Sequence, residues 1–137
     1  MYLLDTNACI AVINGKPHSV RMRLQKEFSA EAEVFVSAVV AFELWYGVAK
    51  SARRSENAQL LTTFLAGPIG LLPFDDEDAK TAGAVRANLE AAGKPIGAYD
   101  LLIAGQAVRR KLTLVTANSR EFGRIKDLKW EDWGRGA

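Results

Sequence analysis

The chain has 137 residues, 49% of them hydrophobic and 25% charged, and a net charge of +2 at pH 7. That length suits one domain spanning residues 1–137, and the balance of apolar and charged residues excludes disordered, collagenous and disulfide-stapled classes. The single cysteine, Cys9, excludes an internal disulfide; with no basic segment ahead of the first apolar run and no run long enough to cross a bilayer, the expectation is a cytoplasmic protein without a membrane contact.

In chain order, Tyr2-Leu3-Leu4 predicts a short strand that ends at Asp5, with a helix from Ala8 to about Ile13 stopped by Asn14-Gly15-Lys16-Pro17. Val20, Leu24 and Phe28 recur every four residues among charged neighbours and predict an amphipathic helix. Val34-Phe35-Val36 predicts a second strand, and Ser37 caps the helix after it. Leu61, Phe64 and Leu65 mark a further helix that stops at Gly67-Pro68; Leu71 to Phe74 predicts a third strand. The acidic run from Asp75 opens a helix carrying Ala82, Val85 and Leu89 on one face, ended by Gly93. Ala98 to Arg110 predicts a largely buried helix, Leu112 to Thr116 a fourth strand, and the Trp130–Trp133 tail one last short strand. Strands alternating with helices predict an α/β protein, with helices on both faces of a mostly parallel sheet.

Three carboxylates stand alone in uncharged stretches: Asp5, Glu43 and Asp100. An isolated carboxylate in apolar surroundings costs several kcal/mol (about that order) unless it is paired, hydrogen-bonded or bound to a cation. No Lys or Arg lies in those stretches, so a hard divalent cation such as Mg²⁺ or Mn²⁺ is the common partner that suits all three. Ligands of an open parallel sheet sit outside the carboxyl ends of its strands. Asp5 ends the first strand, and Thr116 and Asn118 end the fourth, with Glu121 just beyond. The pattern brings Asp5, Glu43, Asp100 and Glu121 to one sheet edge, an arrangement suited to metal-assisted phosphodiester hydrolysis. Plainer roles stay open here: Asp5 as a helix cap, Asp100 as a complement to a helix dipole, Glu121 as a surface acid.

The remaining charges read as ordinary. Asp75 to Asp78 suits the solvated first turn of a helix, and Arg109-Arg110-Lys111 suits a helix C-terminus. Other basic clusters, such as Lys16-His18-Arg21-Arg23-Lys26, are solvated faces or the walls of a polyanion groove. His18 is the only histidine, which excludes a His-rich zinc site or a Ser-His-Asp triad, and no phosphate-binding glycine loop is present.

Four segments carry a family resemblance: Leu3-Leu4-Asp5-Thr6-Asn7; Ser37-Ala38-Val39 with Phe42-Glu43-Leu44 and Tyr46-Gly47; Gly97-Ala98-Tyr99-Asp100-Leu101-Leu102-Ile103-Ala104; and Leu114 to Phe122. In this order and spacing they resemble the motifs of PIN-domain ribonucleases, and the length is similar to that of VapC-type toxins of bacterial toxin–antitoxin pairs. The resemblance implies a three-layer α/β/α sandwich and Mg²⁺-dependent endoribonuclease activity, with Mn²⁺ as a substitute and transfer RNA among the candidate substrates. It implies an acidic triad of Asp5, Glu43 and Asp100, with Thr116 supporting the metal or its water. Many relatives carry Asp where this chain has Asn118, so Glu121 stands as the substitute fourth acid. A cognate antitoxin covering the active-site groove, a homodimer, and DNA contact only through the antitoxin are also implied, with Trp45 and Tyr46 as a candidate groove floor. Two other readings remain: a phosphoacceptor signalling domain, which wants paired acids after the first strand, and a non-catalytic binding module on the same fold.

Overall fold

Leu3 and Leu4 are both fully buried although successive strand side chains point to opposite faces, so their sheet must be covered on both sides. The computed structural model, which describes residues 1–135, supplies that cover with helices. The strands are β1 (Tyr2–Leu4), β2 (Val34–Ser37), β3 (Gly70–Leu72), β4 (Thr113–Val115) and β5 (Trp130–Glu131). The helices are α1 (Thr6–Asn14), α2 (His18–Ser29), α3 (Ala38–Lys50), α4 (Arg54–Leu65), α5 (Asp76–Ala91), α6 (Ala98–Arg110) and the short α7 (Ser119–Phe122), and a 3₁₀ turn covers Trp133–Arg135.

All four strand pairings are parallel, in the order β3-β2-β1-β4-β5. The expected α/β/α sandwich is therefore present, with a wholly parallel sheet among the described residues. The order runs outward from β1 in one direction and from β4 in the other, which opens a crevice at the carboxyl ends of those two strands. The core consists of Leu3, Leu4, Val34, Val36, Leu114 and Val115 from the sheet, packed with Val40, Ile103, Ala104 and Phe122 from the helices. Each large aliphatic side chain buried there contributes roughly 1.5–3 kcal/mol.

β3 is shorter than the sequence predicts because Pro73, lacking an N–H, follows Leu72 directly. The acidic run departs from expectation more sharply. Asp75 does cap α5, accepting from the Asp78 amide at 2.9 Å, but Asp78 is fully buried. Its oxygens accept from Arg109 Nη1 at 2.9 Å, Arg110 Nη2 at 3.0 Å and Gln106 Nε2 at 3.1 Å. Arg109 and Arg110 are thus the counter-ions of a buried carboxylate as well as helix-end cations. α5 and α6 also meet backbone to backbone at Gly105, where a Cβ would lie 2.5 Å from the Ala82 Cα.

Candidate active site

Asp5, Thr116 and Asp132 each follow the last residue of adjacent strands, β1, β4 and β5. Backbone bonds carry the ladder one step beyond the strands: the Asp5 amide donates to the Val115 carbonyl at 3.1 Å, and the Thr116 amide to the Glu131 carbonyl at 2.9 Å. The row of side chains is therefore set by sheet geometry. Asp5 is 6% exposed and Thr116 1% exposed. Asp5 Oδ1 accepts from the Ala8 amide at 2.8 Å, so Asp5 both caps α1 and faces the crevice.

The other acids arrive on helices. Glu43 sits in the second turn of α3, where the Thr6 hydroxyl donates to its Oε1 at 2.8 Å. Asp100 sits in the first turn of α6, and its carboxyl lies within hydrogen-bonding reach of Glu121 on α7. Asn118 caps α7: its Oδ1 accepts from the Glu121 amide at 3.4 Å and its Nδ2 donates to Glu121 Oε2 at 3.1 Å. The Asn118 amide donates in turn to the Thr116 hydroxyl oxygen at 2.9 Å.

Electrostatics reports how close these groups are. Burial, the Glu121 hydrogen bond and charge, and the charges of Glu43 and Asp5 push the Asp100 carboxyl up to about 7. Burial also raises Asp5, assisted by repulsion from Glu43 and Asp132 and opposed by the Thr116 hydroxyl and the Ala8 amide. No ion pair formed among the described residues involves Asp5, Glu43, Asp100 or Glu121. Crowded carboxylates without a basic partner, all offering oxygen donors, fit a hard divalent cation. Among the described residues, no three acids are already closed on one point as a finished cation cage.

All six residues singled out in the sequence thus belong to one continuous neighbourhood. Two contributors were passed over. Asp132 lacks the isolation that marked the other acids, since Glu131 precedes it and it follows a strand of only two residues. Thr6 gains meaning only once α3 is packed against α1. Trp45 and Tyr46, the candidate floor of an antitoxin groove, do not line the groove beside Glu43. Trp45 and Tyr46 are 41% and 59% exposed. The apolar groove beside Glu43, about 260 Å³, is lined instead by Ile10, Ile13, Leu44, Val48, Leu60 and Leu61. Adjacent residues on a helix point about 100° apart, so Trp45 and Tyr46 face away from a groove built on Glu43, Leu44, Gly47 and Val48.

The family model described as "PIN domain" matches residues 2–128. The chain belongs to the PIN-domain family. Within it, the relatives are VapC ribonucleases. The tRNA(fMet)-specific endonuclease VapC of Shigella flexneri is 39% identical over 132 residues, 96% of this chain and 97% of that protein. Ribonuclease VapC2 of Rickettsia felis is 37% identical over 135 residues, 98% and 99% of the two chains. Among solved structures, DNA-bound VapBC from Salmonella typhimurium superposes with a TM-score of 0.88 at 38% identity, covering 96% of this chain and 97% of that one. VapBC2 from Rickettsia felis, bound to a promoter DNA fragment, also gives 0.88, at 36% identity, covering 95% and 96%. This PIN-domain chain is therefore a VapC-type ribonuclease, an endonuclease acting on RNA, and nucleases of this family depend on divalent metal ions.

Proposed function

We propose that this ribonuclease is the toxin half of a toxin–antitoxin pair and that it hydrolyses transfer RNA with Mg²⁺, Mn²⁺ being a working substitute. The observation that carries the reading is the convergence of Asp5, Glu43, Asp100 and Glu121 at the β1–β4 crevice without a basic partner. Asp5 and Asp100 hold the ion, with Glu43 and Glu121 completing the negative field. When bound, the cation neutralises this field and acidifies the attacking water. The protein's own contribution is preorganisation: sheet ends fix Asp5 and Thr116, and neutral donors orient Glu43 and Glu121. Hydrolysis joins the water oxygen to phosphorus and breaks the bond to the 3′ oxygen, which leaves with a proton. Basic side chains around the crevice hold the RNA backbone. Initiator transfer RNA is the first substrate to test, because it is the named target of the Shigella flexneri relative.

Two surfaces support the expected partners. The concave apolar groove beside Glu43 suits an inserted antitoxin segment, and an Arg on that segment would compete with the cation for the acids. DNA contact then runs through the antitoxin. On α3, Phe42, Trp45, Tyr46 and Ala49 form an exposed stripe, joined by Tyr99, whose ring centroid lies 5.7 Å from that of Phe42. This convex stripe, at helical spacing, suits a second copy of the chain.

The test is incubation of the purified chain with transcribed initiator transfer RNA, with Mg²⁺ or with chelator, alongside Asp5→Asn. Specific cleavage is expected only in the wild type with metal. Equal cleavage by Asp5→Asn, or undiminished cleavage in chelator, overturns the site.

A further inference from the structure

Asn118 occupies a position where a direct cation ligand is the obvious reading, yet both ends of its side chain are bonded to Glu121. Nδ2 donates to Glu121 Oε2 at 3.1 Å, and Oδ1 accepts from the Glu121 amide at 3.4 Å. The opposite amide orientation would set an oxygen against the carboxylate and an N–H against the Glu121 amide, so hydrogen-bond chemistry permits only one. Its backbone amide is anchored to the Thr116 hydroxyl oxygen at 2.9 Å, and Thr116 is 1% exposed at the end of β4. The chain of contacts thus runs from the rigid sheet through Thr116 and Asn118 to Glu121, whose carboxylate reaches Asp100.

We infer that Asn118 is a positioning residue: it ties the Glu121 carboxylate to the end of β4 and aims it at Asp100, and does not itself meet the cation. The inference rests on the acid-site reading above. One Glu121 oxygen is committed to Asn118, which leaves the remaining acceptor sites of that carboxylate to face Asp100 and the ion. Glu43 is handled in the same way from the opposite side, where the Thr6 hydroxyl donates to one of its oxygens at 2.8 Å. Glu43 and Glu121, though not Asp100, therefore each have one neutral side-chain donor restricting their rotation, an outer-shell support of the kind that tunes metal sites. A neutral donor suits the task, because a Lys or Arg in that place would cancel the charge the ion needs.

A double-mutant cycle tests this, using Mn²⁺ affinity of the full-length chain measured by titration calorimetry. Asn118→Ser keeps a side-chain oxygen able to cap α7 but removes the donor to Glu121. It should weaken Mn²⁺ binding about tenfold. Glu121→Gln should weaken it at least as much, and adding Asn118→Ser to Glu121→Gln should cost nothing further. Thermal melting of the single variant should stay near wild type, and with RNA as substrate kcat should fall while KM holds. If Asn118→Ser weakens binding equally in both backgrounds, or leaves Mn²⁺ affinity unchanged while Glu121→Gln lowers it, the positioning role is wrong. If Glu121→Gln itself has no effect, the four-acid site falls and the inference falls with it.

Discussion

The carboxyl groups of Asp100 and Glu121, carried on two different helices, lie within hydrogen-bonding reach of each other. In the metal-free protein the Asp100 carboxyl keeps its proton to higher pH than an ordinary carboxylate, and that makes stability depend on pH. The Asp100 carboxyl is pushed from 3.8 up to about 7 in the fold. Between those values the folded chain binds more protons than the unfolded chain, so metal-free stability falls as pH rises through the window. Thermal melting in chelator should give a lower midpoint at pH 7.5 than at pH 5 from this group. Excess Mg²⁺ should raise the midpoint most at the higher pH, with proton release on binding visible by calorimetry in two buffers.

Asp100→Asn separates function from stability at the same position. Above pH 7, where the Asp100 carboxyl is charged, the amide removes a repelled charge, so the metal-free variant should melt roughly 3 °C higher there, about 1 kcal/mol for a chain of this size. RNA cleavage should fall by roughly 10³-fold. A variant that melts lower and still cleaves would contradict the crowding of the acids.

The Asp78 cluster predicts the opposite sign. Burial alone would raise its carboxyl, but the Arg110 and Arg109 hydrogen bonds, the Asp75 amide and the Arg110 charge together hold it well below the usual carboxylate range. That stability is present above about pH 3.8 and is lost as pH falls below it. Asp78→Ala should cost about 3 kcal/mol in urea unfolding, because it removes the buried carboxylate that Arg109, Arg110 and Gln106 share and leaves them only Asp75 and the Pro73 carbonyl. The partial exposure of both arginines keeps the loss at the lower end of the range for buried pairs.

Gly105→Ala should destabilise by about 1–3 kcal/mol, since the added Cβ would lie 2.5 Å from Ala82 atoms and force α5 and α6 apart. α6 also carries Asp100 in its first turn, so kcat should fall even at temperatures where the variant is folded. A circular-dichroism melt and a cleavage assay on one sample check both effects.

The α3 stripe predicts an association state. Trp45→Glu or Tyr46→Glu places a charge on a side chain already 41% or 59% exposed, so fold stability should change by less than about 1 kcal/mol. If the stripe is where two copies meet, sedimentation velocity should show a dimer for the wild type and a monomer for either variant. A variant that still sediments as the wild type does would remove this stripe from the interface.

Much of the molecule is legible without coordinates. The alternation of short apolar runs with periodic helices marks the α/β class because both signals are local. Asp5, Glu43 and Asp100 stand out for a related reason: the desolvation cost of a charge is visible in its immediate apolar neighbours. Tertiary structure decided what depends on partners distant in sequence. Asp78 looks like one solvated acid among four, yet it is fully buried because Arg109 and Arg110 arrive from another helix. Asn118 and Glu121 compete for the same role in the sequence, and the cap of α7 assigns them different contacts. Asp132 reaches the acid row only through β5, and Trp45 is separated from the groove beside Glu43 only by helical rotation. Hydrophobic periodicity and isolated charge are written along the chain; pairings across a sheet or between helices exist only once the backbone has brought them together.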